Sequence, residues 1–184
     1  MMTFQHLAGQ STMRHLKTFY HLNTESATSL RQIVRHAARG IVLRGENILL
    51  LYTARYHDYS LPGGGIDDGE DVLVALSREL TEETGAQNIR DIIAFGRVEE
   101  YRLWHKPDAD IMHMISYCYR CNIDATLGQT QLQDYEHSNG MRPVWINIHQ
   151  AIAHNQKTIA ESDKKGMSIE RETYLLKRIA SECL

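Results

Sequence analysis

The sequence predicts a mixed α/β fold, and three observations predict it. Segments with β-type alternation fall into two groups, one at 36–55 and one spanning 89–123 and 141–148. A helix-period segment, 69–86, separates the groups, and another, 168–184, closes the chain. Strands then helix, twice over, is not the regular alternation of an all-parallel sheet. A mixed sheet with helices on its faces is therefore expected.

The elements follow in order. Residues 1–12 are polar and read as irregular; LKTFYHLN (16–23) reads as a short strand and NTESATSL (23–30) as a loop. HAARGIVLRGENILLLYTAR (36–55) has β-rich stretches on either side of Gly45-Glu46-Asn47, the pattern of a β-hairpin. In LPGGG (61–65), one proline and three successive glycines make a loop. The segment 69–86 carries Val72, Leu73, Leu76 and Leu80 at spacings of three and four, then Gly85 as a left-handed stop. Strands are expected at 89–104 and 111–123, a long loop at 127–140, and a strand at 141–148. HQAIAHNQ then begins a short helix, and the last helix is apolar at Ile169, Leu175, Leu176 and Ile179. The expected organisation is an N-terminal extension, 1–30, and a single domain, 31–184, that includes the C-terminal helix.

Composition narrows the function. At 184 residues the chain supports one sizeable core. A net charge of −3 offers no broad field for nucleic acid or an anionic membrane, so nucleic acid is not the expected partner. No apolar run approaches the roughly 20 residues of a membrane span, and the N-terminus lacks a signal-peptide core. A cytoplasmic protein with no membrane partner is expected. Cys118 and Cys121 form C-x-x-C, but on a strand positions three apart face opposite ways, so both read as buried strand residues. The histidines are scattered, and His149 and His154, five apart, do not stack on a helix.

SRELTEETGA (77–86) is the anomaly. It places Glu79, Glu82 and Glu83 on one stripe of a helix that follows a glycine loop. Like charges at this spacing cost a few tenths of a kcal/mol per pair. Around a dication the same cluster becomes favourable, and the helix N-terminus suits an anion. A solvated acidic face, softened by Arg78 at i, i+4 to Glu82, is the plain alternative.

The stretch resembles the signature of Nudix hydrolases, G-x5-E-x7-R-E-U-x-E-E-x-G-U with U a bulky aliphatic. Here it runs Gly64, Glu70, Arg78-Glu79-Leu80-Thr81-Glu82-Glu83-Thr84-Gly85-Ala86, with only the last aliphatic reduced, to Ala86. The resemblance implies an α/β/α sandwich with a mixed sheet and a loop–helix–loop binding Mg²⁺ or Mn²⁺ and a diphosphate. It implies Glu82 and Glu83 as main metal ligands and Glu79 as a ligand or as base. Gly63 or Gly64 would supply a carbonyl, Arg78 would orient the glutamates, and Glu70 would fix the loop. The implied reaction is hydrolysis of a phosphoanhydride in a nucleoside diphosphate linked to another moiety, with a small nucleotide derivative as partner.

Many members take a further carboxylate from outside the signature; Glu136 is the first candidate, Asp134 the second, Glu99 and Glu100 the rivals. For substrate, Arg39, Arg55, Tyr59, Gly63 and Gly64 are candidates. Tyr52, Tyr56, His57, Trp104 and His105 are aromatic neighbours that could stack on a base. Subfamily signatures for ADP-ribose, NADH, coenzyme A and dinucleoside polyphosphates are not met in full. The alternative class is a Nudix-fold nucleotide sensor that binds without cleaving. Many members are dimers, which leaves a homodimer open.

Overall fold

A computed structural model of the chain describes residues 13–21, 24 and 30–184. The irregular stretch read at 1–12 and most of the loop read at 23–30 lie outside the described residues. The first sheet has the order β1-β6-β7-β2, from β1 (His15–Tyr20), β6 (Arg90–Leu103), β7 (Ile111–Asn122) and β2 (Gln32–Ile41). The outer pairs are parallel and the central β6–β7 pair antiparallel, so the sheet is mixed, as the element order required. In the second sheet β4 (Asn47–Thr53) pairs antiparallel with β3 (Leu43–Arg44), β5 (Asp58–Ser60) and β8 (Met141–Asn147). The hairpin turn falls at Gly45-Glu46, where Gly45 takes φ +58°. No described helix is long and apolar enough to cross a membrane.

Strand alternation feeds two cores. Leu49, Val42, Tyr117, Tyr119 and Cys121 pack with Leu76 and Leu80 of α1 (Val72–Thr84). Their neighbours Ile48, Leu50, Ile41 and Cys118 face the other way. There they meet Ile148 and Ala151 of α3 (Ile148–Glu161), and Leu175, Leu176 and Ile179 of α4 (Ile169–Cys183). Helices thus cover both faces, the layering that period-2 patterning permits. Cys118 and Cys121 indeed enter opposite cores, and burial pushes their thiols up to about 12 and about 11.

Some local expectations change. Leu73 is 38% exposed; Glu79 and Glu83 take buried places on the helix face instead. Part of the loop at 127–140 coils into α2 (Asp134–Ser138), and the helix after β8 runs 14 residues rather than being short. The segment read as a strand from 16 forms β1, which pairs with β6 rather than standing apart from the domain.

The N-terminal end of α4 carries charge into the interior. Arg171 donates to Glu172 and, through a very short contact, to Glu100; Arg102 and His21 also reach Glu100. Burial works against the ionised Glu100, but Arg171, His21 and Arg102 outweigh it and hold its carboxyl well below the usual range. Breaking a buried pair strands its partner, at about 3–5 kcal/mol. Arg171→Ala should therefore lower stability by roughly that amount, read as a shift of the urea midpoint at constant slope. A midpoint within error of the wild type would show that the network is not structural.

Candidate active site

The loop 61–65 is held at both ends before any catalytic group is considered. Ala38 N donates to Gly64 O at 3.0 Å and Gly40 N to Pro62 O at 2.9 Å, stitching the loop to β2. On the far side Leu61 N donates to Glu172 Oε2 at 2.9 Å. Two glycines are required here. Gly63 takes φ +134°, and a Cβ on it would stand 2.0 Å from Ala38 O; a Cβ on Gly64 would stand 2.5 Å from a carboxylate oxygen of Glu79.

α1 begins immediately after. Asp71 caps it by accepting from Leu73 N at 2.8 Å, and Gly85 ends it in the left-handed region. Arg78 is the hub of the polar face. It makes a two-pronged pair with Glu70 at 2.9 Å, donates to Glu79 Oε1 at 2.6 Å, and reaches Gly65 O at 3.0 Å. Glu70 also accepts from Asp67 N at 3.0 Å. One arginine thus ties loop, helix start and helix middle, a use for which the planar guanidinium is suited.

Glu79 and Glu83, one turn apart, are 6% and 5% exposed. Glu83 accepts from Gly63 N at 2.6 Å. Burial pushes its carboxyl up to about 8; Glu79 and Glu136 add to the push, while Gly63 N–H and Arg39 oppose it. Burial also raises Glu79, against the pull of Arg78. These are carboxylates without enough positive charge nearby.

Both line a cavity of about 490 Å³ that also meets Arg39, Gly63, Gly64, Arg78 and Glu136. Arg39 donates to Gly63 O through a very short contact, and its buried Nε has no partner. Glu136 arrives on α2, 6% exposed, accepting from Gln133 N at 2.8 Å and from the Tyr135 hydroxyl at 3.0 Å. Asp134, its rival, is exposed. Glu99 and Glu100 are engaged on β6, by His113 at 2.8 Å and by the Arg171 network.

Other sequence candidates stand apart. Glu82 is outside the cavity wall, 3.6 Å from Arg78. Arg55 bonds Asn139 at 3.1 Å, and Tyr59 packs with Tyr52 and His154; neither lines the cavity. Sequence reasoning missed Glu172 and Asn155. Asn155 accepts from Tyr59 N and donates to Tyr59 O, bracing the strand before the loop. The only signal for Glu172 was a Glu beside an Arg on the apolar stripe of the last helix.

Among the described residues no group of three or more His, Cys, Asp or Glu side chains could by itself hold a metal ion. Mg²⁺ does not need one: it keeps several waters and takes one or two carboxylates plus substrate phosphates. Glu79 and Glu83, two buried oxygen donors with raised proton affinity beside the glycine loop and its cavity, fit that demand.

The fold is a two-sheet α/β arrangement in which a glycine loop leads into a helix with two buried glutamates. The NUDIX domain family model matches residues 34–168, and the chain belongs to that family. Among solved structures, a NUDIX hydrolase from Nitrosomonas europaea superposes with a TM-score of 0.54 at 14% identity, covering 80% of this chain and 90% of that one. Among curated proteins, an RNA pyrophosphohydrolase of Azorhizobium caulinodans is 41% identical over 51 residues, 28% of this chain and 29% of that protein. Another, of Bartonella quintana, is 53% identical over 38 residues, 21% of this chain and 22% of that protein. The chain thus spans less than a third of the length of these curated relatives.

Proposed function

We propose that the protein is a divalent-metal-dependent pyrophosphohydrolase that cleaves a phosphoanhydride in a nucleoside diphosphate derivative. The observation that carries this reading is the buried Glu79–Glu83 pair against the Gly63-Gly64 loop. Family membership and the relatives' names support the reaction class.

Glu79 and Glu83 would hold Mg²⁺ or Mn²⁺. When bound, the cation neutralises phosphate charge and acidifies water for attack on phosphorus. Arg78 favours the ionised form of Glu79 against its burial and aims it by donating to one oxygen. Arg39, which lines the cavity, and the loop seat the diphosphate oxygens. Glu136, which also lines the cavity, takes the proton from the attacking water. Glu82 supports the site from outside through Arg78.

The test is phosphate-resolved product analysis with Mg²⁺ or Mn²⁺ across ADP-ribose, NADH, dinucleoside polyphosphates, nucleotide sugars, coenzyme A, nucleoside triphosphates and a 5′-triphosphorylated RNA. Release of a nucleoside monophosphate from one of the small compounds, abolished by EDTA, is expected. Binding without cleavage would assign the protein to the sensor class instead, and cleavage of the RNA alone would overturn the small-molecule reading.

A further inference from the structure

β5 pairs with β4 on one side, and on the other the backbone groups of Tyr59 and Leu61 are met by side chains from two helices. Buried backbone groups have to be paired. Asn155 of α3 meets both the N–H and the C=O of Tyr59, at 2.9 and 2.8 Å. Two residues on, Glu172 of α4 meets Leu61 N–H at 2.9 Å. The two solutions differ in cost. A neutral amide satisfies Tyr59. A carboxyl group on a residue 1% exposed satisfies Leu61, and it takes Arg171 into the interior as its partner. A neutral acceptor would serve one N–H as well. The charge calls for a second use.

That use lies two residues further along, at Gly63. Gly63 N donates to Glu83, and Gly63 O accepts from Arg39. Pro62 stands between Leu61 and Gly63 with its φ locked by the ring, and its carbonyl is taken by Gly40 N. A shift of Leu61 therefore has little slack in which to die out before it reaches Gly63. Glu172 also bears on Arg39 through its charge. Burial and Arg171 oppose the Arg39 cation, and Glu172 and Glu83 support it. When the Glu83 charge is engaged by a metal ion, Glu172 remains as the standing counter-charge of Arg39. Its own place is set by the first turn of α4, where Glu172 N donates to Ser168 O at 3.0 Å and the helix start favours an acid.

We infer that Glu172 is a positioning residue for the hydrolysis: it sets where Leu61 enters the glycine loop, and through Leu61 the placing of Gly63 against Glu83 and Arg39. Glu172 does not line the cavity, so it acts through the loop and not on the reacting atoms. The inference rests on the hydrolase reading for the reaction, and it adds to that reading a residue of the last helix. Glu100, at the other end of the same network, supplies the contrast. Its side-chain partners are Arg171, Arg102 and His21, none of them in the loop.

The test compares Glu172→Gln, Glu172→Asp and Glu100→Gln with the wild type, all as the full chain. Each is measured for kcat and KM on whichever compound the panel identifies, for its urea midpoint, and for the amide resonances of Leu61 and Gly63 by NMR. Glutamine cannot serve Leu61 N–H and Arg171 together. Aspartate keeps a carboxylate for Arg171 and draws it back from Leu61 by one methylene, so the test stands even where the glutamine variant fails to fold. Both Glu172 variants are expected to lose about 10–100-fold in kcat, with KM changed by less than about threefold, and to move the Leu61 and Gly63 resonances. Glu100→Gln is expected to lower the urea midpoint and to leave kcat within about twofold of the wild type. A kcat for Glu172→Asp within about twofold of the wild type would overturn the inference, as would an equal loss of kcat in Glu100→Gln; either would make Glu172 a residue of the fold alone. A wild type that cleaves no compound would overturn the hydrolase reading instead. The placing of the loop would then be decided by the spectra, and Gly63 unmoved in Glu172→Asp would overturn it.

Discussion

Replacing Glu83 by Gln is expected to lower turnover about 10³-fold while making the metal-free protein more stable. The two effects share one cause. Glu83 is almost fully buried, and among the described residues its hydrogen-bond donor is Gly63 N–H at 2.6 Å. A glutamine keeps an oxygen for that N–H but removes the charge. Without the charge, cation binding and phosphate neutralisation are lost, and an interaction worth several kcal/mol in the transition state corresponds to a rate factor of this order. In the metal-free protein the same carboxyl is a liability, because burial, Glu79 and Glu136 oppose its charge and make the folded state hold a proton up to about pH 8. Steady-state kinetics beside thermal melts in EDTA measure both. A variant that is inactive and also much less stable would mean Glu83 serves the fold, not the chemistry.

The second large effect is a pH dependence of stability that flattens on adding metal. The Glu83 carboxyl stands near 8 in the folded chain against an ordinary value of 4.5. Between those values the folded state holds a proton that the unfolded state has released. The folded protein therefore loses stability as pH rises through this window, by an amount on the order of a few kcal/mol. Glu79 is raised as well and acts in the same direction. Metal binds the deprotonated form, so Mg²⁺ should flatten the slope and release protons on binding below pH 8. Melting curves from pH 5 to 8.5, with EDTA and with Mg²⁺, give the slopes; calorimetry in buffers of different ionisation enthalpy gives the protons. Stability that rises with pH in EDTA would contradict the burial argument.

How much of this was readable in the sequence depends on the range of the interaction. The hairpin at Gly45, the helix read at 69–86 with its stop at Gly85, and the opposite facing of Cys118 and Cys121 follow from local turn chemistry and strand period. The loop glycines, Arg78, Glu79 and Glu83 were legible because their spacing along one loop and helix already sets their neighbourhood. Leu73 was misplaced because the helix buries two glutamates, which a hydrophobic pattern cannot foresee. Glu172 was invisible for a different reason. Its partner, Leu61 N–H, lies 111 residues away, and only the packing of α4 on the second core brings them together. Arg55 and Tyr59 were drawn toward the site by proximity in sequence, but β5 turns Tyr59 to the α3 side of its sheet.

The central claim is that water attacks a phosphorus atom at the Glu79–Glu83 cavity with a divalent cation present. The most direct measurement is cleavage in ¹⁸O-labelled water of whichever compound the panel identifies, with mass analysis of both products. The expected result is one label on a phosphoryl group of one product, in the presence of Mg²⁺ and absent with EDTA. Cleavage that leaves both phosphoryl groups unlabelled, or that proceeds equally in EDTA and in Glu83→Gln, would contradict it.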